Sequence, residues 1–159
     1  FAYPFMKRIT YWPQLFLGLT FNWGIIMGWT AITNSMSIEP LVLYLAAIFW
    51  TLGYDTIYGL QDVSDDEVIG VKSTSMKFKN NVKVFVGTCY SLCVVFILIL
   101  CLIMEIDKYI LALSVFFISS FIYQLKIFKI DSPESCLTAF KANNLTGIFI
   151  FVFIFSFIL

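Results

Sequence analysis

The chain has 159 residues, 60% of them hydrophobic and 19% aromatic, with only 13% charged, at a mean hydropathy of +0.91. A soluble domain carries roughly a quarter charged residues, so soluble globular, disordered, collagen-like and coiled-coil classes are excluded, and an integral protein of the lipid bilayer remains. Ten Lys and Arg balance ten Asp and Glu and no His is present, so no basic field marks a nucleic-acid partner.

Apolar runs broken by polar clusters divide the chain into five expected spans, an all-α, multi-span transmembrane helical bundle. At ~20 residues each, such spans fill about 100 positions and leave little for an extramembrane domain. The first is expected from Pro13 to Thr33, opened by a first-turn proline and ended by Asn34 and Ser35. The second runs from Pro40 to about Gln61, the third from Val82 to Met104, the fourth from Tyr109 to Leu125 and the fifth from Asn144 to Leu159. Connections between the second and third and between the fourth and fifth read as long and polar, and the other two as short turns. Cys89, Cys93 and Cys101 share one apolar run, where thiols pack as small hydrophobes; with Cys136 they make neither a disulfide framework nor a metal knuckle. The first apolar run follows Lys7 and Arg8 without a small-residue cleavage site, so it does not read as a signal peptide. Opening at Phe1, the chain is expected to be a piece of something longer.

Alternate connections must fall on the same side of a bilayer. On this layout Lys7, Arg8, Lys72, Lys77, Lys79, Lys83, Lys126, Lys129 and Lys141 share one side, and Lys108 stands alone on the other. Such a bias places the first side in the cytoplasm, or in the matrix of a mitochondrion. The membrane is accordingly a bacterial inner membrane or, in a eukaryote, the mitochondrial inner membrane. Most of the acids lie on the same side, among them Asp55, Asp62, Asp65, Asp66 and Glu67, so chemistry is expected there.

The informative segment is Gly53 to Thr74, GYDTIYGLQDVSDDEVIGVKST. If the second helix continues through it, Asp55, Tyr58, Asp62 and Asp66 fall at i, i+3, i+7 and i+11 and share an arc of about 80°. Asp55 lies within the membrane, where an ionised carboxylate costs roughly 3 kcal/mol unless it meets water or a partner. A face of three carboxylates and a phenol is suited to a cation. Hard oxygen donors without His or a nearby thiol select Mg²⁺, Mn²⁺ or Ca²⁺. Mg²⁺ is held by one or two carboxylates together with substrate phosphates, and Lys72, Lys7 and Arg8 stand on the same side to bind them, which points to a diphosphate. Asp65 and Glu67 read as solvated loop acids.

This segment resembles the second aspartate-rich motif of the UbiA superfamily of intramembrane prenyltransferases, and is most similar to the 4-hydroxybenzoate polyprenyltransferases. The family pattern D-x-x-Y-x-x-x-D, further acids and G-V-K-S is matched by Asp55, Tyr58, Asp62, Asp66 and Gly70-Val71-Lys72-Ser73. Tyr3-Pro4-Phe5-Met6-Lys7-Arg8, Trp12-Pro13-Gln14 and Phe21-Asn22-Trp23-Gly24 resemble the preceding loop and helix. Gln124, Asp131, Pro133-Glu134, Cys136, Phe140, Asn143 and Gly147 resemble the last loop and helix. The resemblance implies a nine-helix fold of which residues 1–159 are the C-terminal part of a single domain, about five helices. The family's first motif, N-D-x-x-D, is not in the sequence. The implied reaction is Mg²⁺-dependent transfer of a polyprenyl group from an allylic polyprenyl diphosphate to 4-hydroxybenzoate in ubiquinone biosynthesis. It implies metal roles for Asp62, Asp66 and Asp55, with Tyr58 near substrate, Lys72 on diphosphate, and Lys7 or Arg8 on diphosphate or the aromatic carboxylate. Asn22 is a further candidate for substrate contact, with interhelical bonding as its structural alternative.

Other signals read as structural. Gly24 and Gly28 form a G-x-x-x-G, a close-approach motif for a neighbouring helix. Trp12, Trp23, Trp29 and Trp50 fit interfacial or core packing, and Asn143 and Asn144 are expected to cap the last helix. Two other functional classes stay open: a cation-transporting module using the acidic face, and an inactive remnant.

Overall fold

The computed structural model describes residues 3–158; Leu159, the expected end of the fifth span, lies outside the described residues. Five helical segments are long and apolar enough to cross a membrane, matching the expected number, and no strand is present among the described residues. A short helix α1 (Tyr3–Ile9) precedes them. The first span is α2 (Pro13–Phe21) and α3 (Gly24–Thr33), and the second begins as α4 (Ile38–Gly59). After α4 come a 3-10 turn (Leu60–Asp62), α5 (Val63–Ile69) and α6 (Thr74–Lys77). The third span is α7 (Val82–Ile103), the fourth α8 (Lys108–Ala112) plus α9 (Ser114–Ile127), and the fifth α10 (Pro133–Phe155).

Three boundaries differ from the sequence reading. The first span breaks at Asn22, whose Nδ2 donates to the Gly18 carbonyl at 2.9 Å, and the fourth breaks at Leu113. The fifth helix starts eleven residues earlier than Asn144, at Pro133. Ser132 accepts from the Ser135 amide as its N-cap, Pro133 occupies the first turn and Glu134 follows, a favourable helix start. Asn143 and Asn144 are therefore interior residues of α10 and cap nothing.

α4 is the central helix: it packs most extensively on α7, and also against α2 and α10. Lipid supplies no hydrophobic drive between helices, so close backbone approach and interhelical polar bonds do much of the holding. At Gly53 of α4 a Cβ would stand 2.5 Å from Cε1 of Tyr90 on α7, so only glycine admits that ring. Among the described residues the expected G-x-x-x-G makes no close approach: a Cβ at Gly24 or Gly28 would meet nothing within 4 Å. Large apolar side chains such as Ile32 and Leu102 are left exposed, as suits helices in an apolar surrounding.

Candidate functional site

The acidic ladder begins on the last turns of α4 and crosses the 3-10 turn into α5. A 3-10 residue advances ~120° against ~100° in an α-helix, so this turn rotates Asp62 and Asp66 by about 60° from the continuous face drawn from sequence spacing. Asp55 and Asp66 are half-buried while Asp62, Asp65 and Glu67 are exposed. Glu67 is occupied by Lys79, at 2.7 Å, the one ion pair among the described residues. Tyr58 is 41% exposed and rests on Phe140 of α10, with ring centroids 4.7 Å apart.

The chain then reverses. Gly70 closes α5 in the left-handed region at φ 77°, which glycine adopts without steric cost, and the Val71 amide returns to the Asp66 carbonyl at 3.0 Å. Lys72 follows, and its amide donates to the Lys7 carbonyl at 2.7 Å. This bond ties the loop after α5 to the end of α1. The Lys72 ammonium lies 3.4 Å from the Ile9 carbonyl and 5.5 Å from the Tyr11 ring centroid. Lys72 is thereby held beside the helix that carries Lys7 and Arg8, near the end of α4.

Residues 73–75, all buried, fix that loop to the bundle. The Thr74 amide donates to Gln14 Oε1 at 3.0 Å, the Thr56 and Thr74 hydroxyls meet at 2.7 Å, and Ser75 Oγ donates to the Thr56 carbonyl at 2.8 Å. A Cβ at Gly59 would stand 2.6 Å from Ser75 Oγ, so the absence of a side chain there lets loop and helix meet. Gln14, 4% exposed, sits in the first turn of α2. Sequence reading assigned it no role, although a glutamine inside an apolar span is itself a signal of an obligatory partner.

Asp55, Tyr58, Asp62, Asp66, Lys7, Arg8 and Lys72 thus belong to one end of the molecule. Asn22 does not join them: its Nδ2 donates to Thr51 Oγ1 at 2.8 Å and faces the Ala47 carbonyl at 3.3 Å, bonds that hold α2 to α4. Among the described residues no three Asp, Glu or Cys side chains form a group that could hold a metal ion, so the carboxylates make no closed cage. Hard oxygens beside three basic residues nevertheless fit a cation completed by phosphate oxygens.

Two grooves flank α4. One, of about 490 Å³, lies between α4 and α10 and is lined by Trp50, Tyr54, Phe140, Asn143 and Asn144 among others. The other, of about 200 Å³, is lined by Asn22 and apolar residues including Leu43, Ile97 and Ile154, with Trp50 common to both.

The profile of the UbiA prenyltransferase family matches residues 1–156. The chain belongs to the UbiA prenyltransferase family. It is 41% identical over 156 residues to the human "4-hydroxybenzoate polyprenyltransferase, mitochondrial", an alignment covering 95% of this chain and 41% of that protein. A protein of the same name from Aedes aegypti is 39% identical over 153 residues, 94% of this chain and 34% of the relative. The Arabidopsis thaliana protein of that name is 55% identical over 86 residues, 54% of this chain and 21% of the relative. This UbiA chain spans about two-fifths or less of the length of these curated relatives, within their C-terminal part. No solved structure matches it.

Proposed function

We propose that this UbiA chain serves the transfer of a polyprenyl group from an allylic polyprenyl diphosphate to 4-hydroxybenzoate in ubiquinone biosynthesis, in the mitochondrial inner membrane. One observation carries the reading. The Lys72–Lys7 backbone bond sets two basic segments beside the carboxylates at the end of α4, which is the charge arrangement a metal diphosphate needs.

In this reading Asp62, Asp66 and Asp55 would hold Mg²⁺, and the metal when bound would neutralise charge on the leaving group. Lys72, Lys7 and Arg8 bind the diphosphate directly. As the allylic C–O bond breaks, negative charge grows on the leaving oxygens, so these fixed cations stabilise the transition state more than the ground state. Tyr58 and Phe140 form an aromatic wall next to the carboxylates, which keeps water from the allylic carbon. The apolar groove along Leu43, Ile97 and Ile154 takes the polyprenyl tail. A ring carbon ortho to the phenol oxygen of 4-hydroxybenzoate then forms the new bond, and loss of the ring proton restores aromaticity.

The chain carries the second acidic motif, and we assign the first to helices outside these 159 residues. Membranes containing the complete protein, supplied with polyprenyl diphosphate and 4-hydroxybenzoate, are expected to form the prenylated acid, to lose it on adding EDTA and to recover it with Mg²⁺. Turnover that persists in excess chelator refutes the metal role, and no product under any condition refutes the reaction.

A further inference from the structure

Asn143 on α10 has one side of its amide fully engaged and the other empty. Its Oδ1 accepts from Trp50 Nε1 at 3.0 Å and from Gln124 Nε2 at 3.2 Å. An indole nitrogen can only donate, so Trp50 fixes which end of the Asn143 amide is the oxygen. With that oxygen fixed, Gln124 must present its nitrogen, which also reaches Thr146 Oγ1 at 2.8 Å. The Gln124 oxygen then faces away and accepts from Tyr90 OH at 2.5 Å. Gln124 is 0% exposed, so it finds no solvent partner if turned over. Four helices, α4, α7, α9 and α10, therefore hold one polar chain in one orientation, and its last link is the Asn143 Nδ2 group. That atom is buried and has no partner.

A buried donor left without an acceptor is costly, and few are found in native structures. Asn143 also lines the groove between α4 and α10, together with Trp50, Tyr54 and Phe140. Phe140 is in ring contact with Tyr58, so the groove borders the acidic end of α4. A polyprenyl tail has no oxygen to offer an amide donor. An aromatic ring bearing an accepting oxygen matches the aromatic walls, its oxygen reaches the buried N–H as the lining side chains part around it, and shielding from bulk water removes competition for the bond.

Resting on the prenyl-transfer reading above, we propose that Asn143 Nδ2 donates a hydrogen bond to an oxygen of the aromatic acceptor bound in this groove, with Trp50 and Gln124 as positioning residues. The test is equilibrium dialysis of radiolabelled 4-hydroxybenzoate against the complete protein in nanodiscs, with benzoate and 4-methylphenol as competitors to show whether the carboxylate or the phenol oxygen is bound. Asn143→Asp keeps an oxygen for Trp50 and Gln124 and removes the donor, and is expected to weaken 4-hydroxybenzoate binding about tenfold or more with prenyl-diphosphate binding unchanged. Trp50→Phe keeps an aromatic wall but frees the amide to turn, and is expected to weaken binding several-fold, which guards against an Asn143→Asp protein that does not fold. Wild-type affinity in both variants overturns the proposal and leaves the amide satisfied by water only. If the unaltered protein binds prenyl diphosphate but none of the three aromatic compounds, the groove assignment falls alone. If it binds neither class, the prenyl-transfer reading falls with it.

Discussion

Replacing Gln14 with Leu tests whether the loop that carries Lys72 is held by α2. The substitution keeps most of the side-chain volume and deletes the acceptor of the Thr74 amide, a 3.0 Å bond at a residue with 0% exposure. Thr74 is the first residue of α6, and a first-turn N–H has no partner within its own helix, so nothing local replaces Gln14. Leaving it unpaired costs about 1–3 kcal/mol, and that energy acts on local opening of the loop, raising the opening equilibrium about five- to 150-fold. Hydrogen exchange in nanodiscs is expected to show residues 71–76 exchanging faster by that factor, with α7 and α9 unchanged. The Michaelis constant for prenyl diphosphate should rise in parallel, because Lys72 lies two residues before Thr74. Unchanged exchange across residues 71–76 would show that the Thr56 and Ser75 bonds hold the loop without Gln14, and the positioning argument for α2 would be wrong.

Asp62→Ala and Asp66→Ala are each expected to lower prenyl transfer about a hundredfold or more, the scale of a lost electrostatic stabiliser, with membrane yield unchanged. Asp65→Ala should have little effect, and the reverse ranking would show that the wrong acids were chosen. Gly53→Ala should destabilise the bundle by about 1–3 kcal/mol, the usual cost of overpacking, because its Cβ would meet the Tyr90 ring at 2.5 Å; a thermal midpoint in detergent equal to wild type would contradict this. Phe1–Leu159 expressed alone is expected to insert with Lys72 on the cytoplasmic or matrix side and to form no product, since one acidic motif supplies only part of the diphosphate site. Metal-dependent product from that polypeptide would show these five spans to be sufficient.

Span number was legible because hydropathy acts locally on each helix, and five apolar helices are found. Family membership was legible from the segment Asp55 to Lys72, since its residue types and spacing survive any small change in helix phase. What escaped was long-range. The start of α10 was hidden because Glu134, Lys141, Asn143 and Asn144 break its apolar run, yet Asn143 turns inward to Trp50 and Gln124, where a polar side chain belongs. Gln14 was given no role because its partner, Thr74, is sixty residues away. The 3-10 turn at Leu60–Asp62 left the acids in the expected order while altering the face they share. Gly24 and Gly28 followed the packing motif, but the close approaches fall at Gly53 and Gly59 instead, because a small residue permits contact without specifying which helix makes it.

On the function proposed above, the end of α4 and the loop tied to it form the metal-diphosphate half of a prenyltransferase site. The most direct test is binding of an unreactive prenyl thiodiphosphate to the complete protein in nanodiscs, with and without Mg²⁺. Binding should require the divalent ion, weaken at least tenfold in Lys72→Met, as loss of a charge-assisted bond requires, and be abolished in the Asp62→Ala, Asp66→Ala double variant. Binding of equal strength in EDTA, or in the double variant, would contradict the assignment of these carboxylates and place the diphosphate elsewhere in the protein.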